Sequence, residues 1–382
     1  MQHQNSVFHS VLKHVPWGDF DRLVEEHGAD ARVRQLTTRS QLVALLYGRL
    51  SGASSLREIV AGLESHAARL YHLGAGAVRR STLSDANALR PSAMFAELLA
   101  LMMKQAHRGL RRKLAETTYL IDSTGLRLNE YSAGWARFST GVCGAKMHVI
   151  YDADADRPIY AAVSAAKVND ITVAQKMPIT AGATYVFDLG YYDYSWWAQL
   201  DAAACRIVTR FKSNTPLKLV EELPVPQDGN ILSDRIGFLP DRLQRSRRNP
   251  MENAVREVRV VTDTGKVLRI LSNDLDATAQ EIADLYKRRW AIELFFRWVK
   301  QILRITRFLG TSENAVRLQI AVALIAFLLL RLVQAAQKSI QSPLAFARLV
   351  RANLMHRRPI DRLLHSEPVL QLNPNQLALQ WS

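Results

Sequence analysis

Two aspartates and one glutamate are the residues in this sequence best placed to do chemistry. Asp122 lies in YLIDST and Asp188 in YVFDLG, each where an apolar run meets polar residues. A carboxylate in such a place stands over a sheet edge and faces substrate, although aspartate also ends strands simply by capping the next turn. The third carboxylate, Glu293, sits in YKRRWAIELFFRWVKQILR, residues 286–304. At roughly 100° per residue a helix here gathers Tyr286, Arg289, Glu293, Arg297, Lys300 and Arg304 on one narrow face. Leu285, Ile292, Phe295, Val299, Ile302 and Leu303 form a separate apolar stripe that can pack on a sheet. Glu293 could serve only as the i±4 ion-pair partner of Arg289 and Arg297. That leaves Tyr286 and Lys300 on the same face without a reason.

Mg²⁺ takes hard oxygen ligands, so two or three carboxylates and a substrate phosphate complete a site. Two such ions can clamp the attacking and leaving oxygens of an in-line displacement at phosphorus. Basic side chains one turn either side of Glu293, Arg289 and Arg297, would then hold the backbone being cut. Asp, Asp and Glu beside a positive helix therefore suit phosphodiester cleavage. Other chemistries find less support. Cys143 and Cys205 cannot build a disulfide framework or a four-cysteine zinc site, and neither has an adjacent histidine. No glycine loop ending in Lys-Ser/Thr is present, so no nucleotide cofactor is expected, and no HExxH occurs. His148 reads as a strand residue, and Asp152, Asp154 and Asp156 as a solvated turn.

The elements that must hold these residues can be read from pattern. Residues 41–50 and 55–63 have helical apolar spacing, with Ser55 and Glu58 as a capping box and Gly52 as the turn between them. Pro91 suits the first turn of a helix through Met94, Leu98, Leu101 and Met102 that ends in RGLRRK, residues 108–113. From residue 117 the pattern changes to strand runs at 117–124, 146–153, 157–166, 184–188 and 206–211. Helices are expected from Asn169-Asp170 to Lys176 and after Gly190, giving an α/β order that fits a five-stranded mixed sheet. Five prolines and two turn signals between 212 and 272 mark a β-rich insertion, with a hairpin around Asp263–Gly265. Helix returns from Ala277, first through about Thr306 and then as an apolar element at 315–337.

The chain has 382 residues, 48% hydrophobic and 22% charged, and a net charge of +15. Residues 1–115 carry +7, residues 116–285 carry −3, and residues 286–358 carry +12. Two basic blocks flank a slightly acidic middle, a distribution that attracts phosphate polymers. Arg348, Arg351, Arg357 and Arg358 cluster in the last forty residues. The N-terminus lacks a basic-then-apolar leader pattern, and the longest apolar run, 320–330, is too short to span a bilayer. A cytoplasmic protein with no membrane partner is the expectation.

Tyr286, Arg289, Glu293 and Lys300 are separated by two, three and six residues. With IDST around Asp122 and DLGYY from Asp188, this pattern resembles the insertion-sequence 4 family of DDE transposases over roughly residues 35–340. The resemblance implies a ribonuclease-H-like core with a β-rich domain inserted before the helix carrying Glu293, and the helical pattern of the first 115 residues adds an all-helical N-terminal domain. The organisation expected is a helical DNA-binding domain at 1–115, catalytic core at 116–211 and 273–340, the insertion at 212–272, and a basic segment at 341–382. It also implies a nucleoid-associated prokaryotic enzyme that binds double-stranded DNA at terminal inverted repeats and at the target, and pairs the ends as a homodimer. Cut-and-paste cleavage and strand transfer would use two Mg²⁺ or Mn²⁺ ions held by Asp122, Asp188 and Glu293. Tyr286, Arg289 and Lys300 would contact end DNA, and Trp290 would lie beside a displaced base. Relatives that form hairpins trap a flipped base with an inserted Trp. None stands between Trp197 and Trp290 here, so Phe238 or another residue must substitute, or the step differs. The alternatives are an inactive DNA-binding derivative and a metal-dependent nuclease without strand transfer.

Overall fold

The computed structural model describes residues 5–31, 33–108, 117–226, 229–241, 248–305, 307–337 and 342–363. These form two compact units, one from Met1–Leu83 with Ile325–Ser382, the other from Ser84–Leu324.

The first unit is helical. Its N-terminal part holds α1 (Val7–Leu12), α2 (Trp17–Glu26), α3 (Thr38–Ser51), α4 (Leu56–Glu64) and α5 (Ala67–Leu70). Gly52 ends α3 in the left-handed region at φ 79°, where a Cβ would be strained. Ser55 caps α4 by accepting from Glu58 N at 3.2 Å, but the Glu58 carboxylate accepts from Ser54 N at 2.8 Å instead of from Ser55. The reciprocal bond of the box is thus displaced by one residue. The same unit includes C-terminal residues: Phe8 N donates to Leu354 O at 2.8 Å, and Arg351 Nε donates to Leu50 O at 3.1 Å. Arg351 therefore satisfies a carbonyl at the end of α3, while Arg348 and Arg357 are exposed.

The second unit starts at Ser84, within α6 (Arg80–Leu89), and goes on with α7 (Ser92–Arg108). Pro91 precedes α7 instead of entering its first turn, and residues 109–113 of the basic RGLRRK run lie outside the described residues. The core strands are β1 (Thr118–Leu128), β2 (Arg137–Ser139), β3 (Val142–Asp152), β4 (Arg157–Ala165), β5 (Thr184–Phe187) and β6 (Arg206–Arg210). Between them stand α8 (Ala133–Ala136), α9 (Asp170–Ala174) and α10 (Tyr194–Ala202). The inserted strands are β7 (Lys218–Leu223), β8 (Ile231–Phe238), β9 (Val255–Val261) and β10 (Val267–Ser272). Then come α11 (Ala279–Lys287), α12 (Trp290–Ile302) and α13 (Glu313–Ala336), whose residues from Ile325 on count to the first unit, as do α14 (Pro343–Asn353) and α15 (Ile360–Leu363).

The five expected core strands are adjacent in the order β4-β3-β1-β5-β6. β1 runs antiparallel to β3 and parallel to β5, and β5 runs parallel to β6. The sheet does not stop at five strands, as the sequence pattern suggested. β10 pairs antiparallel with β6, and β9, β8 and β7 follow, making one ten-stranded mixed sheet with the short edge strand β2. The physical cause is the open ladder of β6, whose unpaired N–H and C=O groups the hairpin β9–β10 satisfies. Gly265, at φ 77°, makes the turn of that hairpin.

Trp196, Trp197 and Leu200 of α10 pack with Tyr119, Tyr185, Phe187 and Tyr191 into a buried aromatic core. The insertion has its own polar core. Arg256 forks onto Asp234 at 2.8 and 2.6 Å, and Arg269 and Arg259 bind Glu257 at 2.6 and 2.8 Å. The apolar run at 320–330 belongs to the 24-residue α13, which is long and apolar enough to cross a membrane by length and composition, yet is mostly buried in the fold.

Candidate active site

Asp122 is not at the end of its strand, as the sequence suggested, but within β1, which continues because Leu126 and Leu128 remain buried in alternation. What ends near Asp122 is the pairing with β5. Leu120 is the last β1 residue in that register and faces Val186. Asp122 and Asp188 each lie two residues beyond that last pair, Asp122 still within β1 and Asp188 just past the end of β5. The two thus lie near enough for the charge of Asp188 to act on Asp122. Asp188 also caps the short turn Leu189–Tyr191, its Oδ1 accepting from Gly190 N at 2.8 Å. Asp122 Oδ1 accepts from Ser123 N at 2.7 Å.

Glu293 arrives on α12, which packs on the sheet through Phe295, its ring 4.9 Å from that of Tyr151 on β3. The single helix expected over 277–306 is broken: α11 ends at Lys287 and α12 starts at Trp290. Across the break the hydrogen bonds shorten to i→i+3, with Arg289 N on Tyr286 O and Ala291 N on Arg288 O. Arg288 is drawn away to Thr118 Oγ1 at 2.8 Å and to Asp154. Arg304 leaves the expected face too, since α12 ends at Ile302 and Arg304 takes φ 48°.

The break places Arg289 between the carboxylates. One guanidinium nitrogen is 3.4 Å from Asp122 Oδ2, and another is bonded to Glu293 Oε1. The Asp122 carboxyl is pushed up to about 7. Burial is the main cause, the negative charges of Asp188 and Glu293 add to it, and the Ser123 amide and Arg289 act against it. The charges of Asp188 and Glu293 thus both reach Asp122, although among the described residues no three His, Cys, Asp or Glu close into a metal cage.

Tyr286 is buried beside Arg289, and burial raises its hydroxyl pKa. Trp290 is half exposed, with the Arg297 guanidinium 5.7 Å from its ring centre. Lys300 is half-buried, which pulls its ammonium below the ordinary range. Phe238, at the end of β8, lines a separate shallow cavity with Leu239, Arg248 and Met251. The aspartates at 152–156 form a structural turn, since Asp152 is buried and accepts from Asp154 N and Ala155 N at 3.0 and 2.9 Å. His148 is a buried strand residue, as its context suggested. The sequence did not single out Asp170, Lys146 or Ser123 as neighbours of the site. Asp170 was visible only as the opening of a helix.

A family profile described as Transposase DDE domain matches residues 113–329, more than half of the chain. A second, described as a Domain of unknown function (DUF4372), matches residues 3–76. The chain is 40% identical over 290 residues to the putative transposase y4zB of Sinorhizobium fredii (strain NBRC 101917 / NGR234), covering 75% of this chain and 80% of that one. It is 29% identical over 286 residues to the probable transposase for insertion sequence element IS5377 of Geobacillus stearothermophilus, covering 74% of each. Among solved structures, a piggyBac transposase synaptic complex with hairpin DNA aligns at a TM-score of 0.45 and 11% identity, over 96% of this chain and 81% of that one.

Proposed function

This chain belongs to the insertion-sequence 4 family of DDE transposases, and we propose that it cuts double-stranded DNA at its element's terminal inverted repeats and joins the ends to a target. Asp122, Asp188 and Glu293 are the catalytic carboxylates in this reading. One observation supports it: the parallel β1–β5 register, which ends two residues before Asp122 and Asp188, together with Arg289 linking Asp122 to Glu293. The order β4-β3-β1-β5-β6, with β1, β5 and β6 parallel, supports a ribonuclease-H-like core.

The donors fit Mg²⁺ or Mn²⁺, taken here as two ions. They are hard carboxylate oxygens, and at Asp122 burial and like charge leave a negative group poorly matched by its surroundings. When bound, such ions supply Lewis acidity at the scissile phosphate and lower the pKa of an attacking water. The chain's own residues do the rest. Arg289 holds Asp122 and Glu293 in line and offers N–H donors to a phosphate. Arg297 and Lys300, on the same helix, contact the backbone flanking the cut, and Tyr286 braces Arg289. Trp290, half exposed, offers a stacking face to a base near the cleaved bond. The helical first unit serves end recognition, and two copies of the chain pair the ends in the nucleoid of a prokaryotic cytoplasm.

The test is cleavage of DNA bearing the element's ends in Mg²⁺. Asp122→Ala, Asp188→Ala and Glu293→Ala should each lower nicking at least ~10³-fold, equivalent to about 4 kcal/mol, while the gel shift persists. A variant that still cuts removes its residue from the active site. Wild-type protein that shifts DNA but never cuts is an inactive derivative, and cutting without target joining is a nuclease.

A further inference from the structure

Beside the carboxylate pair lies a second polar group that the proposed chemistry leaves without a role. Asp170 opens α9, and its side chain is largely enclosed. Its Oδ1 accepts from Ser123 Oγ and from Lys146 Nζ, each at 3.0 Å. Lys146, on β3, also donates to Val168 O at 3.1 Å, just ahead of Asp170. His148 is fully buried two residues along β3, with Nδ1 3.7 Å from the same Asp170 oxygen and Nε2 2.8 Å from Ser164 Oγ. Side chains of β1 and β3 therefore converge on the carboxylate that opens α9, and β4 reaches it only through His148.

Its position matters more than its partners. Ser123 directly follows Asp122 and donates its own N–H to the Asp122 carboxylate at 2.7 Å. On the opposite side Asp170 reaches the turn that starts at Asp188. A Cβ added to Gly190 would stand 3.0 Å from Asp188 Oδ1 and 3.3 Å from Asp170 Oδ2. The backbone at 190 thus passes closer to both carboxylates than a larger residue allows. Buried Tyr191, next in the turn, feels the charges of Asp122, Asp170 and Asp188 together. Asp170 is wedged between the residue after Asp122 and the turn capped by Asp188.

We propose that Asp170, charge-paired with Lys146, is a positioning residue that sets the spacing of Asp122 and Asp188 through Ser123 and the Gly190 turn. Asp122 and Asp188 repel each other, and apart from Arg289 on Asp122 each is restrained by one nearby backbone amide, of Ser123 and of Gly190. A rigid brace from a third element resists that repulsion. Partners of this kind orient metal-binding carboxylates, and their loss typically weakens metal binding or activity 10–100-fold. An ordinary surface Lys–Asp pair would touch neither loop.

The inference rests on the metal-site reading proposed above, so the experiment separates the two. Mn²⁺ is titrated into the full-length chain and the free ion is read by electron paramagnetic resonance, with cleavage measured against Mn²⁺ in parallel. Asp170→Asn and Ser123→Ala should bind Mn²⁺ about 10–100-fold more weakly, with an unchanged DNA gel shift. Cleavage should recover substantially at high Mn²⁺, and Lys146→Arg should retain the affinity that Lys146→Met loses. Should Asp170→Asn fail to fold, Ser123→Ala, which removes a single hydroxyl, decides the matter. Wild-type Mn²⁺ affinity and wild-type metal dependence in Ser123→Ala and in any folded Asp170→Asn would overturn the brace alone. A wild-type chain that binds no Mn²⁺, or an Asp122→Ala variant that binds it normally, would overturn the site and the brace with it.

Discussion

Asp234 in the inserted strands and Asp122 in the core are both largely withdrawn from water, yet they are matched in opposite ways. Asp234 meets a guanidinium fork at 2.6 and 2.8 Å, and the remaining donors of Arg256 go to the carbonyls of Leu275 and Ala277. Glu257 nearby shows the same economy: burial works against its charge, but Arg269 and Arg259 outweigh it and hold the carboxyl below the ordinary range. Asp122 has one backbone amide and a guanidinium nitrogen at 3.4 Å, and its carboxyl is pushed up to about 7. The insertion spends its carboxylates on holding strands to the loop before α11. The core keeps one that its surroundings only partly neutralise, the condition expected where a further cation acts.

The contrast breaks or holds on stability first. Asp234→Ala strands Arg256 among buried groups and should cost about 3–5 kcal/mol in urea unfolding. Asp122→Asn removes a poorly matched buried charge, so it should leave stability unchanged or higher while cleavage is lost. Equal losses in the two variants would mean that the two carboxylates do the same work.

A pH profile sharpens the comparison at the core. Burial lowers His148 to about 4 from an ordinary 6.5, against the pull of Asp170. The neutral ring is the form the fold accepts, so the unfolded chain binds the extra proton. Stability should therefore be full above pH 6.5 and fall by up to roughly 3 kcal/mol as pH drops towards 4. His148→Gln should flatten that window in acid denaturation, whereas the inserted Glu257 pair holds until more acid pH.

The smallest effect concerns surface charge. Arg297→Ala should lower the slope of log binding constant against log salt by about 0.9. Arg235→Ala, in the insertion and already paired with Glu222 at 3.0 Å, should leave the slope unchanged. A reversed result would move the DNA contact from α12 to the inserted strands.

The spacing of Tyr286, Arg289, Glu293 and Lys300 marked a candidate carboxylate site in the sequence, because the backbone stays helical across the break between α11 and α12 and keeps these residues in order. The strand runs at 117–124, 184–188 and 206–211 were legible for a similar reason, being continuous apolar β-branched or aromatic stretches. The break at Arg288 was not, since its backbone angles stay helical and its cause is a bond to Thr118, 170 residues away. Asp170 escaped notice because a helix-opening aspartate looks the same whether it caps a turn or braces Ser123. The joining of β10 to β6 was hidden as well. Edge pairing leaves no mark on either strand beyond ordinary alternation.

That joining has a mechanical consequence. Ile270, Leu271 and Ser272 pair with Arg210, Thr209 and Val208, and β6 in turn pairs along β5 up to Phe187, the residue before Asp188. The inserted strands are therefore no hinged arm, because swinging them would tear a shared ladder. A load on β8 or β9 would be taken up as torsion of one continuous ribbon, and that torsion would run through β6 into β5, the strand just before Asp188.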